Sequence, residues 1–407
     1  MGPCKSLSVF NFIHTPITMY ISYIKVRIRI VGINKVHITK GVTMKVFVRL
    51  ASLICLFSLL VSSLVSCGVL SDKGKNKEKF SKTFIEYFDT VTTVTGYAAN
   101  QDEFSEVASL IEERFSEYHK LFDAYHSSSD SGYESLYAEI TNVKDINSLE
   151  NGAHLERKVD KKLIDFLLYC KEIYTITNGE TNIAMGSVLR LWHNERENAE
   201  KNPAAAKLPD NAALMQAAEH TDINNLIIDK EKSTVFISDA EMFIDVGAIA
   251  KGYATEMVAQ ELEAKGISGY AISAGGNVRT VGSKADGDAW SVGIENPEDA
   301  FGGYVETVKV MNQSVVTSGS YQRYYTVGGT RYHHIIDRDT LFPSKYFLSV
   351  SIVTKSSALA DALSTALFSM SLEDGMALIE SIGGVEAVWI STDGTKTVSS
   401  GFSSLRA

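Results

Sequence analysis

A carboxylate and a hydroxyl one helical turn apart, Asp361 and Thr365 in ADALSTALF, form the pair best suited to a hard divalent cation. At positions i and i+4 they share one helix face, and two oxygen donors aimed the same way suit Mg²⁺ bridging phosphate oxygens. The same spacing also fits a capping acid plus a buried threonine bonded to its own helix. A second cluster, Asp245-Val246-Gly247-Ala248-Ile249-Ala250-Lys251-Gly252-Tyr253, sets an acid at a strand end, glycine at the turn and a lysine in the first helical turn. Free amides at a helix start beside an ammonium suit a diphosphate; a first-turn lysine is also found simply as a solvated side chain. A third, His333-His334-Ile335-Ile336-Asp337, reads as strand, so at most one of the two histidines looks into a given pocket. Thr317-Ser318-Gly319 and the Gly275-Gly276-Asn277 loop add polar, glycine-flexed strand ends that can converge on it.

Standard alternatives are missing from the chain. It contains no G-x-x-x-x-G-K-[ST] and no G-x-G-x-x-G, so a phosphate ligand would be held neither by a P-loop nor by a dinucleotide fingerprint. Neither H-E-x-x-H nor paired C-x-x-C occurs, which removes the common zinc patterns. The charge balance, 39 Lys and Arg against 49 Asp and Glu for a net −10, argues against a nucleic-acid partner. That average hides an asymmetry: residues 1–66 hold eight basic side chains and no acidic one, leaving 31 basic against 49 acidic, or −18, for the rest.

The basic end reads as an address. From Met44, Lys45 and Arg49 precede an apolar run, Leu50 to Val65, which closes on Leu64-Val65-Ser66-Cys67. Positive flank and apolar run match a secretory signal peptide, and a small residue before cysteine resembles the lipobox of bacterial lipoproteins, making Cys67 the lipidated residue. The run of about 16 residues is short of the roughly 20 that span a bilayer. The expected organisation is an upstream extension over 1–43 with translation starting at Met44, a lipoprotein signal peptide over 44–66, a lipid anchor and lysine-rich tether over 67–83, and one domain over 84–402. The expected location is the extracytoplasmic face of the cell membrane. Cys170 is then the lone cysteine of the body and reads as core.

The elements that must position these clusters follow from periodicity. Residues 84–99 are β-branched and aromatic, predicting a strand or hairpin, and the apolar spacing of Phe104, Val107, Ile111 and Phe115 predicts a helix over 103–122. A second helix fits 161–177, stopped by Asn178-Gly179, and 194–225 reads as a polar excursion with a short helix around 212–219. Strands are predicted at 226–228, 235–237, 242–246, 270–274, 290–295, 305–311, 324–327 and 348–354, with helices over 248–265 and 357–369. A strand pair closes the chain around Asp393-Gly394. The fold class expected is α+β: a mixed or antiparallel sheet core with helices packed outside.

Taken in order, FDTVTTVTGYA (88–98), TNIAMGSVLRLW (181–192), DVGAIAKGYATE (245–256), ISAGGNVRTVG (272–282), VVTSGSYQRYY (315–325), YHHIID (332–337) and ADALSTALF (360–368) resemble the FAD:protein FMN transferase family, often called ApbE. The resemblance covers roughly residues 84–400. It implies a T-fold-like architecture and a reaction that moves FMN from FAD onto a threonine or serine hydroxyl of an acceptor protein, releasing AMP, with Mg²⁺ required. By position it implies Asp361, Thr365 and the carbonyl of Ala248 as metal ligands, Asp361 and His334 as catalytic, His334 being the base. Phe88, Tyr125, Glu180, Thr181, Asn182, Asp245, Lys251 and Ile336 correspond to flavin-nucleotide contacts. The chain departs from the family where many members read M-G-T and it has Phe88-Asp89-Thr90, and again at Thr181-Asn182-Ile183-Ala184 and at Asp337 to Pro343. Acceptors implied by the family are Rnf- or Nqr-type subunits or extracellular flavin reductases. Two rival functions use the same residues: an Mg²⁺-dependent pyrophosphatase splitting FAD to FMN and AMP, and a lipoprotein that binds FAD without chemistry.

Overall fold

The computed structural model describes residues 77–298 and 302–407. Expectations for 1–43, 44–66 and Cys67 lie outside these residues. Among the described residues no helix is long and apolar enough to cross a membrane.

The frame is an eight-stranded sheet whose spatial order is its chain order: β1 (Glu78–Phe84), β2 (Thr92–Ala98), β3 (Tyr270–Ala274), β4 (Asn277–Val281), β5 (Ser314–Gly319), β6 (Phe347–Thr354), β7 (Glu386–Ser391) and β8 (Lys396–Val398). Every pairing is antiparallel, so of the mixed and antiparallel alternatives the chain adopts the second. Residues 99–269, between β2 and β3, hold the helices α1 (Gln101–Phe122), α2 (Val143–Asn147), α3 (Lys161–Ile176), α4 (Gly186–Lys201), α5 (Asn211–Ala218) and α6 (Gly247–Ala264); α7 (Ser357–Phe368) and α8 (Leu372–Ser381) lie between β6 and β7.

Side-chain alternation gives the sheet two buried faces. On β5 to β7, Val316, Val350, Ile352, Ala387 and Trp389 pack with α7 residues Leu363, Leu367 and Phe368. The intervening Val315, Val353, Val388 and Ile390 pack instead on the hairpin Trp290–Glu295/Tyr304–Val310 and on Phe402. Period-two patterning with both parities apolar is what a sheet covered on both sides requires.

Several elements differ from the sequence reading for identifiable reasons. The tether expected to reach residue 83 is, from Glu78 onward, the edge strand β1, whose sequence EKFSKTF carries the lysines that protect an exposed edge. The segment expected as a strand at 242–246 buries Met242, Ile244 and Val246 but lies outside any sheet; Asp245 N–H bonds to Ile183 O at 2.8 Å. The polar excursion expected from 194 is continuous with α4, which the charged sequence after Trp192 obscured. The strand through His333-His334 ends at His333, where its pairing with Tyr324 ends.

Two helices carry the expected chemistry. Helix α7 starts at Ser356, whose hydroxyl accepts from Leu359 N–H, and Glu256 of α6 accepts the Ser357 amide at 2.7 Å while pairing with buried Arg279 of β4 at 3.1 Å. These bonds lock α6, α7 and the sheet into one orientation. The crossing point is Gly252: a Cβ there would lie 2.3 Å from Asp361 Cβ and 2.5 Å from Ser357 O. Gly252→Ala is therefore expected to destabilise the fold by about 1–3 kcal/mol through overpacking. Gly383→Ala, where an added Cβ meets nothing within 4 Å, serves as the control in urea unfolding. Equal midpoints for the two variants would contradict this close crossing.

Candidate active site

At the crossing, the Asp361 carboxylate accepts from Lys251 Nζ at 2.8 Å through Oδ1 and from Gly252 N–H at 2.6 Å through Oδ2. Its side chain is 8% exposed, so the charge is compensated by these two donors rather than by water. In a regular helix the Gly252 amide serves the carbonyl of Ala248; here it donates to a carboxylate of α7. Thr365, one turn beyond Asp361, donates its hydroxyl to the Asp361 carbonyl at 3.4 Å, the self-bonded arrangement foreseen as the alternative. The set comprises hard oxygens, and an ammonium already rests on Asp361 Oδ1, so the residues fit a divalent cation. Among the described residues no group of three or more His, Cys, Asp or Glu could hold a metal. A cation here would draw on one carboxylate, neutral oxygens and the ligand's phosphates, the usual pattern for Mg²⁺.

The start of α6 forms a second cluster. Asp245 accepts the Gly247 amide at 2.9 Å and the Tyr125 hydroxyl at 2.6 Å. Burial first, then Asp245, pushes the Tyr125 hydroxyl well above its ordinary pKa, so it stays a donor. Tyr125 also stacks on His193 of α4, ring centroids 4.0 Å apart, and lies 6.0 Å from Phe243. His193 escaped the sequence reading. The signal available was its place directly after Trp192 in the TNIAMGSVLRLW motif, lost because the following residues are polar.

The third cluster centres on His334. Its Nδ1 lies 3.2 Å from the carbonyl of Arg323, which also accepts the His334 amide at 3.1 Å. A carbonyl only accepts, so Nδ1 carries the proton and Nε2 keeps its lone pair. The residue is half-buried, and desolvation and then Arg323 push its pKa down to about 3, leaving the imidazole neutral. His333 faces elsewhere: its Nε2 bonds Ser344 O at 2.8 Å and its ring packs on Phe368.

Arg323, unmarked in the sequence reading, reaches across to the β1–β2 corner and donates to the carbonyls of Phe88 and Asp89, both at 3.1 Å. Phe88 and Asp89 are left-handed, φ 55° and 50°, at the place where the resemblance led to M-G-T. Asp tolerates this conformation at the glycine position better than most residues. Thr90 then packs on the Gly275-Gly276 turn, where a Cβ on Gly275 would come within 2.0 Å of its hydroxyl; both glycines have positive φ, as a two-residue hairpin turn demands.

Other expected contacts are placed apart or committed to the fold. Thr181 is buried and donates to Ala362 O of α7 at 2.9 Å. Asn182 is spent at both ends, on Ala184 N–H and Thr221 O, each at 2.9 Å. Glu180 pairs with Arg338 at 3.0 Å, and burial raises its pKa. Ile336 forms an isolated bridge with Pro343. A separate cavity of about 350 Å³, lined by Tyr169, Tyr253, Glu256 and Gln260, contains none of the expected site residues.

The model of the ApbE family matches residues 88–389. The chain belongs to the ApbE family. It is 34% identical over 258 residues to the FAD:protein FMN transferase of Treponema pallidum, covering 60% of this chain and 69% of that protein. To the FAD:protein FMN transferase of Haemophilus influenzae it is 31% identical over 207 residues, 50% of this chain and 59% of that one. Among solved structures it is similar to the ApbE protein of Thermotoga maritima, with TM-score 0.68 and 25% identity over 81% of this chain and all of that one. The Vibrio cholerae flavin transferase ApbE has the same fold, with TM-score 0.64 and 23% identity over 81% of this chain and 99% of that one.

One buried and four half-buried imidazoles set a pH dependence. His119, His154, His193, His333 and His334 all lie below the ordinary 6.5, with burial the first cause each time. The unfolded chain takes up protons at these rings that the folded one refuses, so stability present above about pH 6.5 is lost as pH falls. The urea midpoint is expected to be lower at about pH 5 than at about pH 7.5; an unchanged midpoint would count against neutral burial of these rings.

Proposed function

We propose that this protein is an FAD:protein FMN transferase, moving FMN from FAD onto a threonine or serine hydroxyl of an acceptor protein with release of AMP. The observation that carries the reading is the Asp361 carboxylate held between Lys251 Nζ and Gly252 N–H at the α6–α7 crossing, within a chain of the ApbE family. In the reaction the acceptor oxygen forms a bond to the phosphorus of the FMN half. The bond from that phosphorus to the bridging oxygen breaks, and AMP departs with that oxygen. His334 Nε2, unprotonated in the tautomer that Arg323 O imposes, receives the hydroxyl proton. In the free pocket its low basicity makes it a weak base, and the negative charge of a diphosphate raises it toward a useful range. Lys251 and the first amides of α6 bind and orient that diphosphate. Asp361, Thr365 and the Ala248 carbonyl are the residues that would hold Mg²⁺, which when bound supplies neutralisation of phosphate charge.

The cluster of Tyr125, Asp245 and His193 supports a role in seating one ring system of FAD, while the Phe88 ring packs on Phe115 and His119 of α1. Export and lipidation at Cys67 complete the proposal and would place the enzyme at the extracytoplasmic face of the membrane, where Rnf- or Nqr-type subunits or flavin reductases are the acceptors to test.

The test is to incubate the purified protein with FAD, Mg²⁺ and a flavin-carrier domain from the same genome, weighing the carrier and assaying AMP. A carrier heavier by one FMN with matching AMP supports transfer. AMP without a modified carrier favours the pyrophosphatase, and intact bound FAD favours a storage protein. Asp361→Ala is expected to abolish transfer, and His334→Asn to lower kcat by about 10²- to 10⁴-fold. A chelator should stop turnover until Mg²⁺ is restored. Transfer at the normal rate by Asp361→Ala would overturn the metal assignment.

A further inference from the structure

Arg323 makes two kinds of contact that meet on the proposed base. Its backbone carbonyl accepts both the amide and Nδ1–H of His334, at 3.1 and 3.2 Å. Its guanidinium crosses to the left-handed corner and donates to Phe88 O and Asp89 O. Arg323 and His334 stand just outside the last pair of the hairpin Tyr324–Val327/Thr330–His333, where Tyr324 faces His333. Beyond that pair the backbone bond from His334 N–H to Arg323 O ties the two residues together, and the guanidinium bonds to the corner add a long-range restraint on the same carbonyl.

We propose that Arg323 is the positioning residue for His334, fixing the Nδ1–H tautomer through its carbonyl and fixing that carbonyl through its guanidinium. This rests on the transferase reading for its consequence in catalysis, but not for its geometry. The charged groups bearing on the ring are Arg323 itself, neighbouring His333 and Arg196 of α4, and the nearest corner carboxylate, Asp89, lies 3.9 Å from the Arg323 guanidinium. Desolvation and these three potential cations oppose protonation of the ring, and Asp89, which would favour it, is turned to the Arg323 guanidinium and to solvent. The arrangement therefore keeps Nε2 available until an anionic ligand arrives.

Two physical reasons make the guanidinium hard to replace. Both bonds leave one nitrogen, Nη2, whose two hydrogens the rigid guanidinium plane fixes in direction, whereas the donors of an ammonium on a flexible stem rotate freely. The corner it grips carries two consecutive non-glycine residues at positive φ, a conformation that persists only where surrounding contacts over-determine it. Loss of the clamp lets the corner relax and lets Arg323 O withdraw from Nδ1, after which the ring exchanges between its two neutral tautomers.

The test compares wild type, Arg323→Lys and Arg323→Gln, with His334→Asn used to assign the His334 resonances in ¹⁵N-histidine NMR of the free protein. Wild type is expected to show His334 as the Nδ1–H tautomer, with partial retention in Arg323→Lys and a mixture in Arg323→Gln. In the FMN-transfer assay, Arg323→Gln should lose at least about tenfold in kcat with KM for FAD within about twofold, Arg323→Lys recovering part of the loss. Thermal unfolding shows whether each variant is folded. A wild-type Nε2–H tautomer, or an Arg323→Gln ring that keeps the Nδ1–H form, overturns the proposal whatever happens to the rate. If wild type shows the expected tautomer and clamp dependence yet transfers no FMN, the positioning role stands and the transferase reading is what fails.

Discussion

The buried Asp361 carboxylate, shared between an ammonium and a backbone amide of the neighbouring helix, is the constraint on which the rest of the structure turns. A carboxylate that is 8% exposed must be paired on the spot. Lys251 Nζ and Gly252 N–H do so at 2.8 and 2.6 Å, which requires the α6 backbone to come within touching distance of α7. Only a residue without Cβ permits that approach. The ion pair, the missing side chain and the crossing are thus a single feature seen at three levels.

From this crossing the surrounding fold follows outward. Glu256, one turn after Gly252, caps the α7 amide and pairs with Arg279, tying both helices to β4. Thr181 braces α7 through Ala362 O, and Ser318 of β5 meets Ser364 of α7 at 2.8 Å. The eight-stranded meander contributes rigidity because both its faces are filled, one by α7 and one by the 290–310 hairpin. The chemistry sits at element ends: the first turns of α6, the β1–β2 corner, the Gly275-Gly276 turn and the loop after His333. Ends supply free backbone groups and sharp bends, while the packed frame keeps them in register.

The polar pairs show how groups useful for phosphate chemistry are kept from collapsing into an inert core. The Tyr125 hydroxyl remains protonated beside Asp245, so it donates rather than competes for protons. The His334 ring remains neutral because its walls and Arg323 disfavour a further positive charge. Both states come from desolvation plus a named neighbour.

Residue type and spacing alone determined a good part of this. Asp361 and Thr365 share a helix face because 3.6 residues make a turn, Lys251 follows a strand-like segment and a glycine turn, and only one of His333 and His334 could face a pocket. The ordered motifs led to the ApbE family, to which the chain belongs, and the α+β class followed from helices and strands read by periodicity. Tertiary structure alone decided what sequence-distant groups do to one another. It turned a lysine-rich stretch into edge strand β1, because lysine serves an exposed edge as well as a linker. Thr181 and Asn182 became internal braces, because their hydroxyl and amide found carbonyls on other elements. It also set His193 against Tyr125 and Arg323 against residues 88–89, partners separated by 68 and about 234 positions. Local periodicity carries no information across such separations; packing does, because a buried polar group must find its partner wherever the fold has brought one.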